Sequence, residues 1–166
     1  MRLKINAVVL SISDRAAREG VDKSGPALIE ALTRLPADVT IVAVEMLPRD
    51  FDGIVARLQF YADRGDVHLI ATSGGTGLAP RDQTPEATRS LIDREVPGFA
   101  EAMRFTGYAN TPLAPLSRAV CGTRGGTLII NFPGSSRGIT ECFEAIRKAL
   151  PHAIGTLSEQ VAKCST

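Results

Sequence analysis

The chain has 166 residues, of which 44% are hydrophobic and 22% are charged, with 19 basic residues against 18 acidic ones. This length and composition are typical of one globular domain, so we expect a single domain over residues 1–166 and exclude an intrinsically disordered chain. A net charge of +1 provides no broad field that attracts nucleic acid or an anionic membrane. Any anion site must therefore be local, and no nucleic-acid partner is expected.

The cysteines and the apolar runs indicate a cytoplasmic protein. Cys121, Cys142 and Cys164 are odd in number, widely spaced and without a CxxC pair, which predicts neither a disulfide framework nor a structural zinc site. The first apolar run, residues 5–12, is too short for a signal peptide and is interpreted as a strand. No run approaches the roughly 18 apolar residues that span a bilayer, so no membrane association is expected.

The first part of the chain alternates strand patterns with helix patterns. Residues 5–12 are apolar and β-branched, and residues 26–35 then repeat leucine and isoleucine at helical spacing. Residues 39–47 predict a second strand, residues 51–62 a helix with one apolar face, and residues 67–72 a short third strand. The pattern therefore predicts two βα units followed by a strand.

A long loop rich in glycine, residues 73–84, follows the third strand. Thr84 is predicted to cap the next helix, Pro85 to occupy its first position and Glu86 to favour the positive end of the helix dipole. We expect this helix to end near Ile92.

The rest of the chain predicts a hairpin and further helices. A helix is expected over residues 99–107, and strands over residues 118–123 and 127–132. Arg124, Gly125 and Gly126 join these strands in a tight turn, so one strand is predicted to be antiparallel. Helices are expected over residues 138–150 and 152–163. The whole pattern predicts an α/β fold of the doubly wound, Rossmann-like type, with helices on both faces of a mostly parallel sheet.

Three loops that follow strands contain the residues best suited to chemistry. Their sequences are SISDR at residues 11–15, TSGGTGLAPRDQTPE at residues 72–86 and NFPGSS at residues 131–136. Ligands of doubly wound sheets bind at the carboxyl ends of the strands, so we expect the three loops to open on one edge. Glycine and a helix N-terminus favour a phosphate site, whereas the alternative is that these glycines only permit turns.

Standard nucleotide-binding motifs do not fit these loops. No GKS or GKT follows a glycine at Walker spacing, and Gly75-Thr76-Gly77 lacks the third glycine of a dinucleotide fingerprint. Asp82 is a candidate for holding Mg²⁺ that bridges phosphates, the alternative being a solvated loop acid. Asp14 either binds a polar ligand group or forms a turn. Because a GxSxG elbow is missing, nucleotidyl or phosphoryl transfer is favoured over hydrolysis.

Six segments occur in an order and at intervals that match a known family. They are SISDR, TSGGTG, RDQTPEAT, REVPGFAEAMR, LSRAV and NFPGS. From about Val8 to the helix after Ser136, the chain resembles the MogA/MoaB family. The resemblance implies a three-layer α/β/α fold like the G domain of gephyrin, binding of molybdopterin, and assembly as a homotrimer or hexamer, with a molybdenum insertase as a candidate partner.

The activity that this resemblance implies is that of a molybdopterin adenylyltransferase. The terminal phosphate of molybdopterin attacks the α-phosphorus of Mg-ATP, pyrophosphate leaves, and adenylylated molybdopterin forms. Positioning the two phosphates in line and neutralising their charge lowers most of the barrier to such a transfer. ATP and molybdopterin are thus the expected substrates, and Mg²⁺ is the expected cofactor, in molybdenum cofactor biosynthesis.

The resemblance also implies roles for single residues. Asp82 matches the catalytic or magnesium-holding carboxylate, and Thr84 and Glu86 match its supporting wall and are also substrate-binding candidates. The other substrate-binding candidates lie in four motifs: Gly74, Gly75, Thr76 and Gly77 in the nucleotide-phosphate loop, Ser13 and Asp14 in the first-strand motif, Ser117 and Arg118 in the pterin-side SR motif, and Pro133, Gly134 and Ser135 in the late PGS loop.

One segment departs from the family. After the second strand the family typically has Pro-Asp, whereas here Pro48 is followed by Arg49 and then by Asp50. Asp50 is the second catalytic candidate if the backbone shifts by one residue. Arg49 keeps a second hypothesis open, a MoaB-type molybdopterin carrier or scaffold that does not turn ATP over. A third hypothesis is a generic nucleotide-binding α/β module.

Overall fold

The computed structural model describes residues 2–160 of the chain, which form six strands, seven α-helices and a short 3₁₀ helix, Ala114–Leu116. The strands are β1 (Lys4–Ile12), β2 (Asp38–Leu47), β3 (Leu69–Ser73), β4 (Arg94–Glu95), β5 (Cys121–Arg124) and β6 (Thr127–Phe132). The α-helices are α1 (Asp14–Glu19), α2 (Ser24–Thr33), α3 (Phe51–Ala62), α4 (Thr84–Arg89), α5 (Pro97–Tyr108), α6 (Ser136–Ile146) and α7 (Leu150–Leu157). Within this part of the chain, no helix has both the length and the apolar character to cross a membrane.

All the strands belong to one sheet with the order β2-β1-β3-β6-β5-β4. Strands β1, β2, β3 and β6 are parallel, whereas β5 is antiparallel to both of its neighbours, β6 and β4. The predicted mostly parallel sheet with one antiparallel strand is confirmed. The chain places β2 on one side of β1 and β3 on the other, and such a reversal of strand order is where ligands bind in open α/β sheets.

Helices cover both faces of the sheet and complete three layers. In β1, Ala7 and Val9 belong to one core cluster, and Val8 and Leu10 belong to the other. Because successive side chains of a strand point to opposite faces, a strand buried on both faces must be apolar throughout. Helices α2, α5, α6 and α7 pack on the first face, and α3 and α4 pack on the second. The predicted α/β/α architecture is therefore confirmed.

A buried polar network joins α4 to the sheet. Asn131 in β6 is fully buried, and its side-chain amide donates to Oγ1 of Thr72 at 3.1 Å and of Thr88 at 2.9 Å. Its Oδ1 accepts from the N–H of Val120 at 3.1 Å, and Oγ1 of Thr88 donates onward to the carbonyl of Thr84 at 2.9 Å. An unpaired buried polar group costs about 1–3 kcal/mol, so this paired network favours one position of α4.

The predicted cap of α4 was wrong. Thr84 is the first residue of the helix, and the preceding cap position, Gln83, makes no side-chain cap bond. Oγ1 of Thr84 instead donates to the carbonyl of Gly74 at 3.0 Å, because the loop turns back onto the helix start. The helix also ends at Arg89 rather than near Ile92.

Several other boundaries differ from the prediction. Residues 118–120 lie outside β5, because the N–H of Arg118 donates to the carbonyl of Thr76 at 2.9 Å instead of joining the sheet. Helix α1, with six residues, and strand β4, with two, were not predicted, because elements this short show no periodic pattern of apolar residues. Helix α6 ends at Ile146, and α7 begins at Leu150, where Pro151 suits the first turn. Cys164 and the end of the helix predicted over residues 152–163 lie outside the described residues.

Phe143 provides a test of the core, since it lies on α6 and is fully buried in the first-face cluster. Phe143→Ala should lower the free energy of unfolding by about 3–5 kcal/mol, because lost burial adds to the cost of a cavity. Phe143→Leu keeps more of the volume and should cost about 1–1.5 kcal/mol. Urea unfolding followed by circular dichroism measures both values, and equal costs would contradict this packing.

Candidate functional site

The ends of β1, β3 and β6 meet at Gly74. Its N–H donates to the carbonyl of Phe132 at 3.1 Å. A Cβ atom at Gly74 would lie 2.5 Å from the carbonyl oxygen of Ile12 and 3.9 Å from the Cα of Gly134. With φ at +87°, Gly74 also adopts a backbone conformation that residues with a side chain rarely take. The three loops therefore meet on one edge as expected, and only glycine fits at their contact.

Gly75 closes the glycine loop, Gly74 to Gly77, onto the start of α4. The N–H of Thr84 donates to the carbonyl of Gly75 at 3.1 Å. Gly75 has φ at +65°, and a Cβ atom there would overlap Oγ1 of Thr84. Thr76 follows in a buried position, and a Cβ atom at Gly77 would lie 2.9 Å from Oδ2 of Asp82. The predicted phosphate-loop residues thus pack against Thr84 and Asp82.

Arg118 braces this loop from the side of β5. Its Nε donates to the carbonyl of Gly77 at 2.8 Å, and its backbone N–H donates to the carbonyl of Thr76 at 2.9 Å. The terminal guanidinium nitrogens bond to the carbonyl of Asp82 and to the carboxylate of Glu86. The other oxygen of Glu86, Oε2, is buried and has no hydrogen-bond partner within residues 2–160. The predicted binding residues Arg118 and Glu86 are therefore parts of one structural brace.

The carboxylate of Asp82 lies beside the glycine loop, and its side chain is only 12% exposed. Its Oδ1 pairs with Nη1 of Arg49 at 3.1 Å, and its Oδ2 accepts from the N–H of Ala79 at 3.2 Å. Asp50 is exposed and caps α3, with Oδ2 accepting from the N–H of Gly53 at 2.8 Å. From the segment after β2, the structure thus brings Arg49 to Asp82 and gives Asp50 a helix-capping role.

Ser13 and Asp14 lie at the start of α1 rather than in an open loop. Oγ of Ser13 accepts from the N–H of Ala16 at 3.2 Å and caps that helix. Oδ1 of Asp14 accepts from the backbone N–H of Arg49 at 2.9 Å and from the guanidinium of Arg81 at 2.8 Å. The hydrogen bond from the Arg49 backbone and the nearby arginine charges hold the pKa of Asp14 below its ordinary value. This carboxylate therefore joins the ends of β1 and β2 to the glycine-rich loop.

A polar cluster that the sequence analysis did not identify lies beneath the loop. Asp22 accepts from the hydroxyl of Ser11, from the hydroxyl of Ser24 at 2.8 Å, and from the N–H groups of Ser24 and Gly25 at 2.9 Å. The hydroxyl of Ser73 donates to that of Ser24 at 2.8 Å. Burial raises the pKa of Asp22, but these hydrogen bonds outweigh it, so the pKa is lowered overall. An Asp-x-Ser-Gly run just before a helical pattern is the signal that was available.

Among the clefts near this edge of the sheet, one is lined by the glycine loop and is rich in cationic side chains. The glycine-loop cleft, of about 290 Å³, is lined by Ser13, Ser73, Gly74 and Gly134 among others. Its charged lining residues are Arg15, Asp22, Lys23 and Arg49. Three cationic side chains against one carboxylate give the lining a net positive charge, although Arg15 is paired with Glu19 and Arg49 with Asp82.

The second cleft, the α5–α6 cavity, is about 310 Å³ and mostly apolar. Met103, Leu113 and Cys142 line it together with Ser117 of the predicted pterin-side motif and with Pro133 and Ser135 of the predicted PGS loop. Two charged side chains, Arg104 and Glu141, stand at its wall. An apolar cavity with a few polar groups is typical of a site for a flat organic ligand.

Cys142 in this cavity is not poised as a nucleophile. Burial, with a smaller contribution from the charge of Glu141, raises its pKa to about 11. The thiolate is the reactive form of cysteine, so this thiol stays protonated and unreactive at neutral pH.

Gly75→Ala tests whether the loop requires glycine. The new Cβ overlaps Thr84 and the positive φ is strained, so the free energy of unfolding should fall by about 1–3 kcal/mol. Gly126→Ala is the matched control, because no atom lies within 4 Å of a Cβ there. Thermal unfolding compares the two variants, and equal losses of stability would show that Gly75 is an ordinary turn residue.

Asp22→Asn tests the polar cluster through pH. Because the folded pKa of Asp22 lies below its ordinary value of 3.8, its ionisation stabilises the fold above that pH, and the contribution is lost as pH falls through the folded pKa. At pH 7 the variant should be about 1–3 kcal/mol less stable than the wild type, since an acceptor becomes a donor. Urea unfolding from pH 7 to pH 2.5 should show this difference shrinking, and a constant difference would contradict the assignment.

Comparison with known sequences places the chain among proteins of one pathway. A family model described as a probable molybdopterin binding domain matches residues 8–152. The chain is 41% identical over 152 residues to a molybdopterin adenylyltransferase of Helicobacter pylori J99, covering 90% of this chain and 86% of that protein. It is 39% identical over 155 residues to the Drosophila melanogaster molybdenum cofactor synthesis protein cinnamon. That match covers 93% of this chain but spans only 26% of the length of cinnamon.

Solved structures agree with these sequence matches. The molybdopterin biosynthesis enzyme MoaB from Thermus thermophilus has a TM-score of 0.87 and 46% identity, covering 93% of this chain and 97% of that one. A molybdopterin biosynthesis protein from Mycobacterium abscessus has a TM-score of 0.86 and 35% identity, with the same coverage of 93% and 97%. Since the matches extend over nearly the whole sequence and fold, the chain belongs to the MogA/MoaB family of molybdopterin-binding domains.

Proposed function

We propose that this chain is a molybdopterin adenylyltransferase of molybdenum cofactor biosynthesis. An oxygen of the terminal molybdopterin phosphate attacks the α-phosphorus of ATP, the bond from that phosphorus to the bridging oxygen breaks, and pyrophosphate leaves. The identity of 41% to the Helicobacter pylori enzyme, over 86% of that enzyme's length, supports this activity. The observation that carries the proposal is the nearly buried Asp82 carboxylate, which is held against a glycine loop beside a cationic cleft.

The glycine loop is proposed as the nucleotide-phosphate site. Gly74, Gly75 and Gly77 have no side chain that would keep a phosphate away from the backbone, and Thr76 lies between them. Thr84 and Glu86 support the loop from α4. The glycine-loop cleft adds positive charge from Arg15, Lys23 and Arg49, and Ser13 and Gly134 also line it. Opposed phosphates repel each other, so this charge favours bringing them together.

The pterin is proposed to bind in the α5–α6 cavity. Ser117, Pro133 and Ser135 line that cavity, and Gly134 next to them lines the glycine-loop cleft. The loop of residues 133–135 therefore lies between the two spaces. A ligand whose ring occupies the cavity can reach across this loop with its phosphate, and the phosphate then faces the nucleotide.

Asp82 is the protein ligand that we propose for magnesium at this site, with nucleotide phosphates as further ligands. In the described range, residues 2–160, no group of three or more His, Cys, Asp or Glu side chains is arranged to hold a metal ion. Asp82 provides one carboxylate beside the loop, and Mg²⁺ typically takes one or two carboxylates together with phosphate oxygens and water. When bound there, the ion would neutralise charge that develops on the transferring phosphate. Asp50 remains a proposed second carboxylate, although its side chain caps α3.

We further propose a cytoplasmic homo-oligomer, a trimer or hexamer, in which residues 1–166 form one domain of each subunit. The single sheet through residues 2–160 supports the one-domain assignment. Phe105 is 85% exposed, and Tyr108, Leu113 and Leu116 are exposed close to it in sequence. Such apolar side chains favour contact with another protein surface, either a second copy or a molybdenum insertase.

The alternative of a non-catalytic carrier rests on one observation, the ion pair between Arg49 and Asp82. If that pair persists with substrates bound, the carboxylate has no free charge for a magnesium ion, and the chain holds molybdopterin without turning ATP over.

Pyrophosphate release from ATP and Mg²⁺, with and without molybdopterin, tests the transferase. Wild type should release pyrophosphate only with molybdopterin, and Asp82→Asn should lower the rate about a hundredfold, because a charge at the reacting phosphates is lost. Asp63→Asn is the control, since Asp63 pairs with Arg124 at the far end of α3.

Other outcomes decide between the alternatives. Wild type that binds molybdopterin and releases no pyrophosphate would contradict the transferase and favour the carrier. ATP binding without molybdopterin binding would favour a generic nucleotide module. An unchanged rate in Asp82→Asn would remove Asp82 from the chemistry while leaving the activity in place.

A further inference from the structure

Arg49 lies where the glycine-loop cleft meets the carboxylate of Asp82. Its backbone is fixed on both sides, because its N–H donates to Asp14 at 2.9 Å and its carbonyl accepts from Arg81 at 3.3 Å. Its side chain lines the cleft and reaches Asp82 with Nη1 at 3.1 Å. The guanidinium is therefore the link between the cationic cleft and the proposed metal-holding carboxylate.

Each oxygen of Asp82 has a partner in the folded chain. Oδ2 accepts from the N–H of Ala79 in a tight turn, where the N–H of Asp82 also donates to the carbonyl of Ala79 at 2.8 Å. Oδ1 is paired with Arg49. A divalent cation at Oδ1 would lie beside the positive guanidinium, so its binding is disfavoured while Arg49 stays paired. Of the two partners of Asp82, Arg49 is the flexible side chain that can leave, whereas the turn at Ala79 is backbone.

The Arg49 guanidinium is itself incompletely bonded. Its Nε is buried and has no hydrogen-bond partner among residues 2–160, and its one ion pair uses Nη1. A guanidinium has five N–H donors in a fork that matches phosphate oxygens. The side chain is 36% exposed and lines the cleft beside Gly74, so a phosphate bound there can use donors that Asp82 does not satisfy.

We propose that Arg49 is a phosphate-binding positioning residue that blocks Asp82 until nucleotide arrives. The nucleotide phosphates take the guanidinium, and Asp82 is then free to bind the divalent cation that accompanies them. The inference rests on the proposed function for the identity of the nucleotide, and it sets an order of binding in which the cation alone binds weakly. Charge explains the order, because a triphosphate carries more negative charge than the single carboxylate that it replaces.

Manganese binding in the absence of nucleotide measures the block directly. Free Mn²⁺ is counted by electron paramagnetic resonance, with Mn²⁺ as the probe in place of Mg²⁺. Arg49→Gln should bind Mn²⁺ about three- to tenfold more tightly than wild type, because a partly buried ion pair no longer competes for Asp82. The double variant Arg49→Gln/Asp82→Asn should lose this gain, which places the gain at Asp82.

Nucleotide binding in EDTA measures the phosphate contact separately. The affinity of Arg49→Gln for ATP without divalent cation should fall about tenfold, since a charge-assisted hydrogen bond to phosphate is lost. Arg49→Lys should keep much of the weak Mn²⁺ binding and much of the ATP affinity of wild type, because the lysine ammonium still pairs with a carboxylate and with phosphate. Arg57→Gln is the matched control, as Arg57 pairs with Glu45 between α3 and β2 and lines neither cleft.

Two results would overturn the inference. If Arg49→Gln binds Mn²⁺ no more tightly than wild type, the ion pair does not block Asp82. If its ATP affinity in EDTA equals that of wild type, Arg49 does not bind phosphate. Neither result depends on turnover: a wild type that forms no adenylylated product refutes the proposed function, while these affinities still decide the role of Arg49.

Discussion

The close approach of three strand ends at Gly74 is the constraint on which the site depends. Gly74 has no room for a Cβ atom against the carbonyl of Ile12, and its N–H is bonded to the end of β6. This contact brings the loops that follow β1, β3 and β6 so close together that they line neighbouring clefts at one edge of the sheet. The proposed binding residues of the first-strand motif, the glycine loop and the PGS loop take their positions from this meeting point, whereas Ser117 and Arg118 come from the segment before β5.

Buried polar groups fix the elements around that contact. Asn131 bonds to both β3 and α4, and Asp22 collects hydrogen bonds from β1 and from the start of α2. Because the low dielectric of the interior makes an unsatisfied polar group costly, each network disfavours other arrangements of its helix. Burial of the apolar clusters on the two faces stabilises the fold, whereas these polar groups fix where α2 and α4 begin relative to the sheet.

Local patterns were sufficient for most of the fold. The helix predicted over residues 51–62 has the observed bounds, and the strand predicted over residues 127–132 is β6, because each carries its apolar periodicity within its own sequence. The three loops and their glycines were also predicted, since strand ends of a parallel sheet share an edge. The start of α4 was misplaced because Thr84 bonds to a residue ten positions away, which no local capping rule includes.

The pairings within the site could not be predicted from sequence. The ion pair of Arg49 with Asp82 and the contacts of Arg118 join segments that are 33 and 41 residues apart, and only the folded sheet brings them together. The Asp22 cluster had a short sequence signal, but its bonds to Ser11 and its connection to Ser73 depend on tertiary geometry.

The brace formed by Arg118 has a consequence for how tightly a ligand is held. Because this side chain and its backbone bond to three separate points of the loop after β3, the loop loses little conformational entropy when a ligand arrives. A preorganised loop of this kind loses less affinity to ordering than a flexible one with the same contacts. Ligand exchange at this edge is therefore governed by side chains such as Arg49, while the backbone acts as a rigid template.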